Sequence, residues 1–374
     1  MQFGDEEARC PPRNERRQRV LGVCCLPEML WNQTDIAFKY GIIMEPDLQI
    51  TLKGLPEDMG CAIGNAVATA VRTFKEVDSE LDFRRMHRIV VTTDFAGELS
   101  ELSAATASGN SITHTNEDYA IAIAKVMIIP RGDEFEILPV INANFAAALA
   151  QEDSDNFDRE RFRSALHFLH HELCHVHDDN KKIDAFASDM LRTRYRGKDM
   201  YIRPLADVCW SEYIATLLSC STAGENDING MTESFADAVK RTKPEIDKEI
   251  LSYRDHGDLL KLLDVFGRHG EFLAKAAAYT LGYVDGLGKP LAELSKEASE
   301  VLAGSYFELT WNSMHTALRN MLKVYSEGWK NLSIMDELAV AIESYYADMG
   351  LILSTTEDGQ AYLHVPFRPE TTPS

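Results

Sequence analysis

No apolar run in this chain approaches the roughly 20 residues that a membrane-spanning helix requires, so nothing in it reads as a bilayer-crossing helix. The seven cysteines, Cys10, Cys24, Cys25, Cys61, Cys174, Cys209 and Cys220, contain no C-x-x-C pair. An odd set without that spacing speaks against a disulfide framework or a structural zinc ribbon, and for reduced thiols in a cytoplasmic protein. Positive charge is scarce, with 38 Lys and Arg against 59 Asp and Glu and a net charge of −21. That balance argues against a general affinity for nucleic acid, which needs a concentrated basic surface, and fits partners of basic character better. Internal repeats and low-complexity blocks are missing too. What remains is an ordinary globular composition, 45% apolar and 26% charged, over 374 residues, enough for two or three structural units.

Histidine, by contrast, is concentrated. Five of the eleven histidines fall between His167 and His177, around His171-Glu172-Leu173-Cys174-His175, an H-E-x-x-H. On a helix His171 and His175 lie roughly 40° apart around the axis, so both imidazoles reach one metal ion. Glu172 lies about 100° from His171, close to the metal without being forced to ligate it. Phe162, Ala165, Leu166, Leu169, Leu173 and Val176 recur at helical spacing on the opposite face, which predicts a helix over 159–180 with core on one side and histidines on the other. Asp155 and Asp158 precede it as candidate N-caps.

A catalytic zinc takes three protein ligands and leaves one position open, so a third is needed. His177, Asp178 and Glu212 are the candidates. His177 projects away from the metal face, and Asp178 sits near a helix end, where a carboxylate suits orienting an imidazole through its free N–H. Glu212 has the better claim. It rises from the polar stripe Glu212, Thr216, Ser219 of a second helical stretch opened by Pro204, whose other side carries Trp210, Ile214 and Leu217. His167 lies one turn before His171 on the metal face and could line the cleft. His170 and Cys174 project to the flanks and read as packed.

Along the rest of the chain, Arg13 to Arg19 is basic and Val20 to Leu26 apolar, too short for a signal peptide, so residues 1–30 read as a poorly packed leader. A helix is expected over 60–81, strands over 86–95, 120–129 and 135–141, and a polar loop over 97–116. Pro130-Arg131-Gly132-Asp133 reads as the turn between the last two strands. Asn142-Ala143-Asn144 follows the last strand, either as part of a strand that pairs with an extended substrate or as a helix cap. Gly224 to Lys243 reads as turn material opening a second unit. Helices are expected beyond it over 245–253, 259–266, 271–281, 291–302, 307–329 and 334–349, with a closing hairpin at 351–353 and 361–365. The chain thus divides into a leader (1–30), an α+β unit (31–222) and a mostly helical C-terminal unit (223–374).

The pairing of H-E-L-C-H with a downstream W-S-E-Y-I-A resembles the gluzincin branch of the zincin metallopeptidases, over about residues 86–222. In that branch the third ligand is a glutamate, often followed three residues later by alanine, as Ala215 follows Glu212. Asn142-Ala143-Asn144-Phe145 is also similar to a thermolysin-type substrate strand. The metzincin pattern does not fit, because its glycine and third histidine would fall on Asp178 and Lys181. The resemblance implies a zincin-like α+β core and a zinc-dependent peptidase of the cytoplasm. It would hold one Zn2+ per chain on His171, His175 and Glu212, with Glu172 as general base toward a metal-activated water. Peptide or protein substrates follow, with no nucleic acid and no membrane. The group's second catalytic residue, usually a His, Tyr or Arg, comes from the C-terminal unit; the sequence does not place it, with His256 and His269 named as candidates. Two other readings stand beside this one: a metal-binding regulatory or interaction protein that cuts nothing, and a DNA-associated regulator, which the charge disfavours.

Overall fold

The structure is a computed structural model that describes residues 48–105, 116–117, 120–121, 124–132, 134–150, 157–192 and 194–372. The expected leader lies outside the described residues. Strands form where β-branched residues follow one another: β1 (Gln49–Lys53), β2 (Arg88–Thr92), β3 (Ala124–Arg131) and β4 (Glu134–Asn142). They make one mixed sheet in the order β1-β2-β4-β3. β1 pairs parallel with β2 from Gln49↔Arg88 to Lys53↔Thr92, and β2 runs parallel to β4 with Val90 opposite Val140. β3 and β4 form the antiparallel hairpin expected from their turn, from Ala124↔Ile141 to Arg131↔Glu134.

Each face of this sheet is covered. Helix α1 (Glu57–Val77) buries Ile63, Val67, Val71 and Phe74 on one face. It shares that core with Phe162, Leu166, Leu169, Leu173 and Val176 of the histidine helix. The other face is covered by α2 (Phe95–Ala105), whose Phe95 and Leu99 pack on Val90, Met127, Leu138 and Val140. A loop was expected from Gly97 onward. The Ser- and Ala-rich composition concealed a helical repeat of Phe95, Leu99 and Leu102, which Asp94 starts by accepting from the Gly97 N–H.

The histidine helix, α3, runs from Arg159 to Arg192, a full three turns past the expected end. Asp158 starts it by accepting from the Arg161 N–H. Its polar continuation stays helical because those residues find partners: Asn180 donates to the Val176 and Asp82 carbonyls, and Lys182 pairs with Asp178 at 3.3 Å. Ile183 and Phe186 extend the apolar side. Helix α4 (Asp199–Ser219) begins before Pro204, which sits inside it. Gly224 does not open a loose segment. It is the N-cap of α5 (Glu225–His256), where Asp227 accepts from the Gly224 N–H at 2.8 Å. Two more helices, α6 (Leu259–Phe266) and α7 (Phe272–Gly286), follow, then short helices to Leu302, α8 (Glu308–Lys323) and α9 (Asp336–Asp348), and the closing hairpin Ile352–Thr355 and Ala361–His364. The α+β expectation therefore holds: a small mixed sheet beside the histidine helix, then a largely helical region.

Helix α4 joins the two halves, with Ala215 in the core beneath the sheet and Trp210, Ile214 and Leu217 in the core of the helical region. Helix α7 packs close against it because of two glycines. A Cβ on Gly282 would stand 2.7 Å from the Tyr213 carbonyl oxygen, and one on Gly286 would stand 2.9 Å from that of Leu217. Asp285, between them, locks α4, α7 and α8 together. It accepts from Tyr213 Oη (2.6 Å), His315 Nε2 (3.0 Å) and Arg319 Nη2 (2.6 Å). Burial opposes its charge, but these donors outweigh that and hold its carboxyl at about 2. A carboxyl depressed from an unfolded value of about 3.9 contributes stability that is complete above that value and is lost as pH falls through the folded one. Asp285→Asn is accordingly expected to cost about 2–3 kcal/mol at pH 7 and roughly half of that at pH 3. Urea unfolding at the two pH values checks this, and an equal cost at both would show that the charge is not what the site uses.

Candidate metal centre

Three helices converge here. Helical spacing brings His171 and His175 of α3 to one point, with their Nε2 atoms 3.0 Å apart. Glu212 of α4 reaches the same point, its Oε2 lying 3.4 Å from His171 Nε2 and 3.2 Å from His175 Nε2. These three atoms form a nearly equilateral triangle. In a tetrahedral zinc site with bonds of 2.0–2.1 Å, adjacent ligand atoms stand about 3.3 Å apart. Glu212 Oε2 is buried and makes no hydrogen bond, its contacts being the ion-pair approaches of the two imidazoles, an arrangement that a cation among them would complete. A set of two nitrogens and one oxygen suits zinc.

The charges around this triangle are strongly coupled. Burial pushes Glu212 up, but the two imidazoles facing its carboxylate reverse that and hold it well below the usual carboxylate range. Burial pushes both histidines down. It wins at His171, whereas the Glu212 carboxylate overrides it at His175, which rises to about 9. One of the two facing Nε2 atoms thus carries a proton that the other accepts, and a metal ion binding there would displace it. His175 Nδ1 lies 2.9 Å from Ser211 Oγ, so Ser211 can orient the ring with its Nε2 toward the metal position. Glu172 also belongs to the cluster, with a carboxylate oxygen within 4.8 Å of ligand nitrogens of His171 and His175. Burial pushes its carboxyl up to about 7.

Other residues singled out in the sequence lie elsewhere. Asp178 accepts from Trp210 Nε1 (3.2 Å) and Tyr325 Oη (3.0 Å) and pairs with Lys182, so its oxygens serve an indole, a phenol and an ammonium instead of an imidazole. His167 is tied to Thr222 Oγ1 (3.1 Å) and Tyr283 Oη (2.8 Å). Because the Thr222 hydroxyl donates to the Ser219 carbonyl, His167 donates through Nδ1 and accepts from Tyr283 through Nε2. His170 also bonds Thr222 and stacks flat on Phe74 at 4.4 Å, and Cys174 is fully buried, both as expected. His177 accepts from the Asp82 N–H.

Asn142, Ala143 and Asn144 follow β4, which is an interior strand. Asn142 pairs with Thr92 across the sheet, and its side chain caps the short helix Ala143–Ala146 by accepting from the Asn144 N–H at 3.0 Å. This is the capping alternative. Among the described residues, the edge strands of this sheet are β1 and β3. His256 is engaged with Glu249 and the Asp258 N–H.

Two residues from α7 border the centre instead, and the sequence did not single them out. Tyr279 stacks on His171 with ring centroids 5.2 Å apart and 17° between planes, and the Glu212 carboxylate acts on its hydroxyl. Lys275 Nζ stands 3.9 Å from Glu212 Oε1. Lys275, Tyr279 and Tyr283 are spaced by four and meet Glu212, His171 and His167 in turn. The spacing was visible in the sequence, but its partners were not. No family model, curated protein or solved structure matches this chain, and the assignment of its centre rests on the geometry just described.

Proposed function

We propose that this chain is a zinc-dependent peptidase in which His171, His175 and Glu212 hold one zinc ion and Glu172 is the general base. The observation that carries the reading is the triangle of buried Glu212 Oε2, without a hydrogen bond, at 3.4 and 3.2 Å from two facing imidazole nitrogens. Bound there, zinc supplies Lewis acidity that polarises a carbonyl and acidifies a water. The protein's own part is positional. Ser211 and Tyr279 fix the ring of His175 and the ring of His171, respectively. Glu172, beside the triangle and outside it, takes the proton from the attacking water and returns it to the leaving amine. Strand β3, Ala124–Arg131, has no sheet partner on one side among the described residues, and its backbone groups there can align an extended peptide.

Elemental analysis of the purified protein, combined with mass-spectrometric cleavage of a mixed peptide library, tests this. About one zinc per chain is expected, together with cleavage that a chelator abolishes and added zinc restores. A chain that binds no zinc when supplied with it would sink the reading. A chain that binds zinc and cuts nothing would leave the metal-binding regulatory alternative.

A further inference from the structure

The chain carries a net charge of −21, yet two lysines act on its metal centre. Lys275 of α7 is 30% exposed, and its only ion-pair contact among the described residues is the loose 3.9 Å approach to Glu212 Oε1. Lys125 lies on the edge strand β3, opposite Val140, and is half-buried there. Its ammonium is pushed down by burial first and by Lys275 second, so the two like charges feel each other, while Glu212 and Glu172 act to hold it charged. Bringing two ammonium groups together costs free energy unless anions sit between them.

With a divalent cation bound, both anions are committed, Glu212 to the ion and Glu172 to the water beside it. Glu271, one turn earlier, also acts on the Lys275 charge; what the ion changes is that Glu212 is drawn to it, which loosens its hold on Lys275 and leaves that ammonium for a second anion. The global charge repels anions at a distance, but over the few ångströms of a bound substrate the nearest charges dominate.

Resting on the peptidase reading above, we propose that this site selects substrates with a carboxylate next to the scissile bond, and that Lys275 is the residue that selects it. That carboxylate is an Asp or Glu side chain or the substrate's own C-terminal group. Lys275 suits the role because its ammonium is partly exposed, flexible and held by no short hydrogen bond among the described residues.

The test uses the zinc-loaded full chain with Glu172→Gln, so that peptides bind without being consumed. Three fluorescent peptides share one alanine-rich sequence: one has a central Asp and an amidated end, one is neutral with a free C-terminal carboxylate, and one is neutral and amidated. Fluorescence anisotropy gives Kd for each, and elemental analysis gives the zinc content of every protein used. At least one of the two anionic peptides is expected to bind about tenfold or more tighter than the neutral amidated one, and which one does so identifies the source of the carboxylate. Adding Lys275→Ala should abolish the preference with zinc retained, and Lys275→Glu should turn it against anionic peptides. Equal Kd values for all three, no binding of any, or a preference that survives Lys275→Ala would overturn the proposal while leaving the zinc reading intact. A zinc-free parent would overturn both.

Discussion

A Glu212→Ala protein should purify without stoichiometric zinc, and its affinity for added zinc should fall by at least about a hundredfold. Loss of a residue that merely orients a ligand already costs about ten- to a hundredfold, and Glu212 Oε2 is a corner of the ligand triangle itself. A second readout is thermal. A ligand that binds only the folded state at a thousand times its Kd stabilises it by about 4 kcal/mol, so zinc should raise the Tm of the parent and leave that of the variant nearly unchanged. Asp178→Asn is the control. It removes a carboxylate much closer in sequence to the histidines, but one that holds Trp210, Tyr325 and Lys182. Its expected effect is a lower Tm in every condition with zinc binding retained. Zinc retained by Glu212→Ala and lost by Asp178→Asn would mean that the third ligand has been assigned to the wrong carboxylate.

What separates those two carboxylates shows what the sequence could carry. Helical periodicity is local, so the facing of His171 and His175 was legible from four residues, and so was the polar stripe that presents Glu212 opposite Trp210 and Ile214. Asp178 falls on the same side of α3 by periodicity, but one turn further on the neighbours are an indole from α4 and a phenol from beyond α8, and these claimed its oxygens. No periodicity reports that. The sheet taught the same lesson: the hairpin of β3 and β4 was readable from its turn, whereas the edge strand was not. β2 pairs with β4 across some fifty residues of chain, which makes β4 interior and leaves β3 exposed on one side. Tyr279 and Lys275 depend on how α7 sits against α4, and that is set by backbone approach at Gly282 and Gly286. Gly-x-x-x-Gly on an apolar helix was a visible signal of close packing, but it names no partner. Helix α2 escaped notice for a different reason, its small and polar residues masking three well-spaced apolar ones.

Glu172→Gln should do the opposite of Glu212→Ala: keep the zinc and lose the turnover. Positioned general acid–base groups contribute about 10²- to 10⁴-fold, so kcat is expected to fall by at least about a hundredfold while peptide binding stays within a few-fold of the parent. The amide matches the carboxylate in size and can still hydrogen-bond, so packing on α3 is preserved. What it lacks is the ability to take a proton from water and hand it on. Position makes the distinction meaningful, because Glu172 lies within 4.8 Å of the imidazole nitrogens while Glu212 Oε2 occupies the third corner at 3.2 and 3.4 Å. If Glu172→Gln lost its zinc and Glu212→Ala kept both metal and turnover, the two glutamates would have exchanged roles, with Glu172 a ligand and Glu212 outside the chemistry. If both variants kept zinc and turnover, neither carboxylate would matter to hydrolysis, and any cleavage by the preparation would have to come from another protein. Metal content and kcat measured together on the same two proteins separate these outcomes, which neither measurement could do alone.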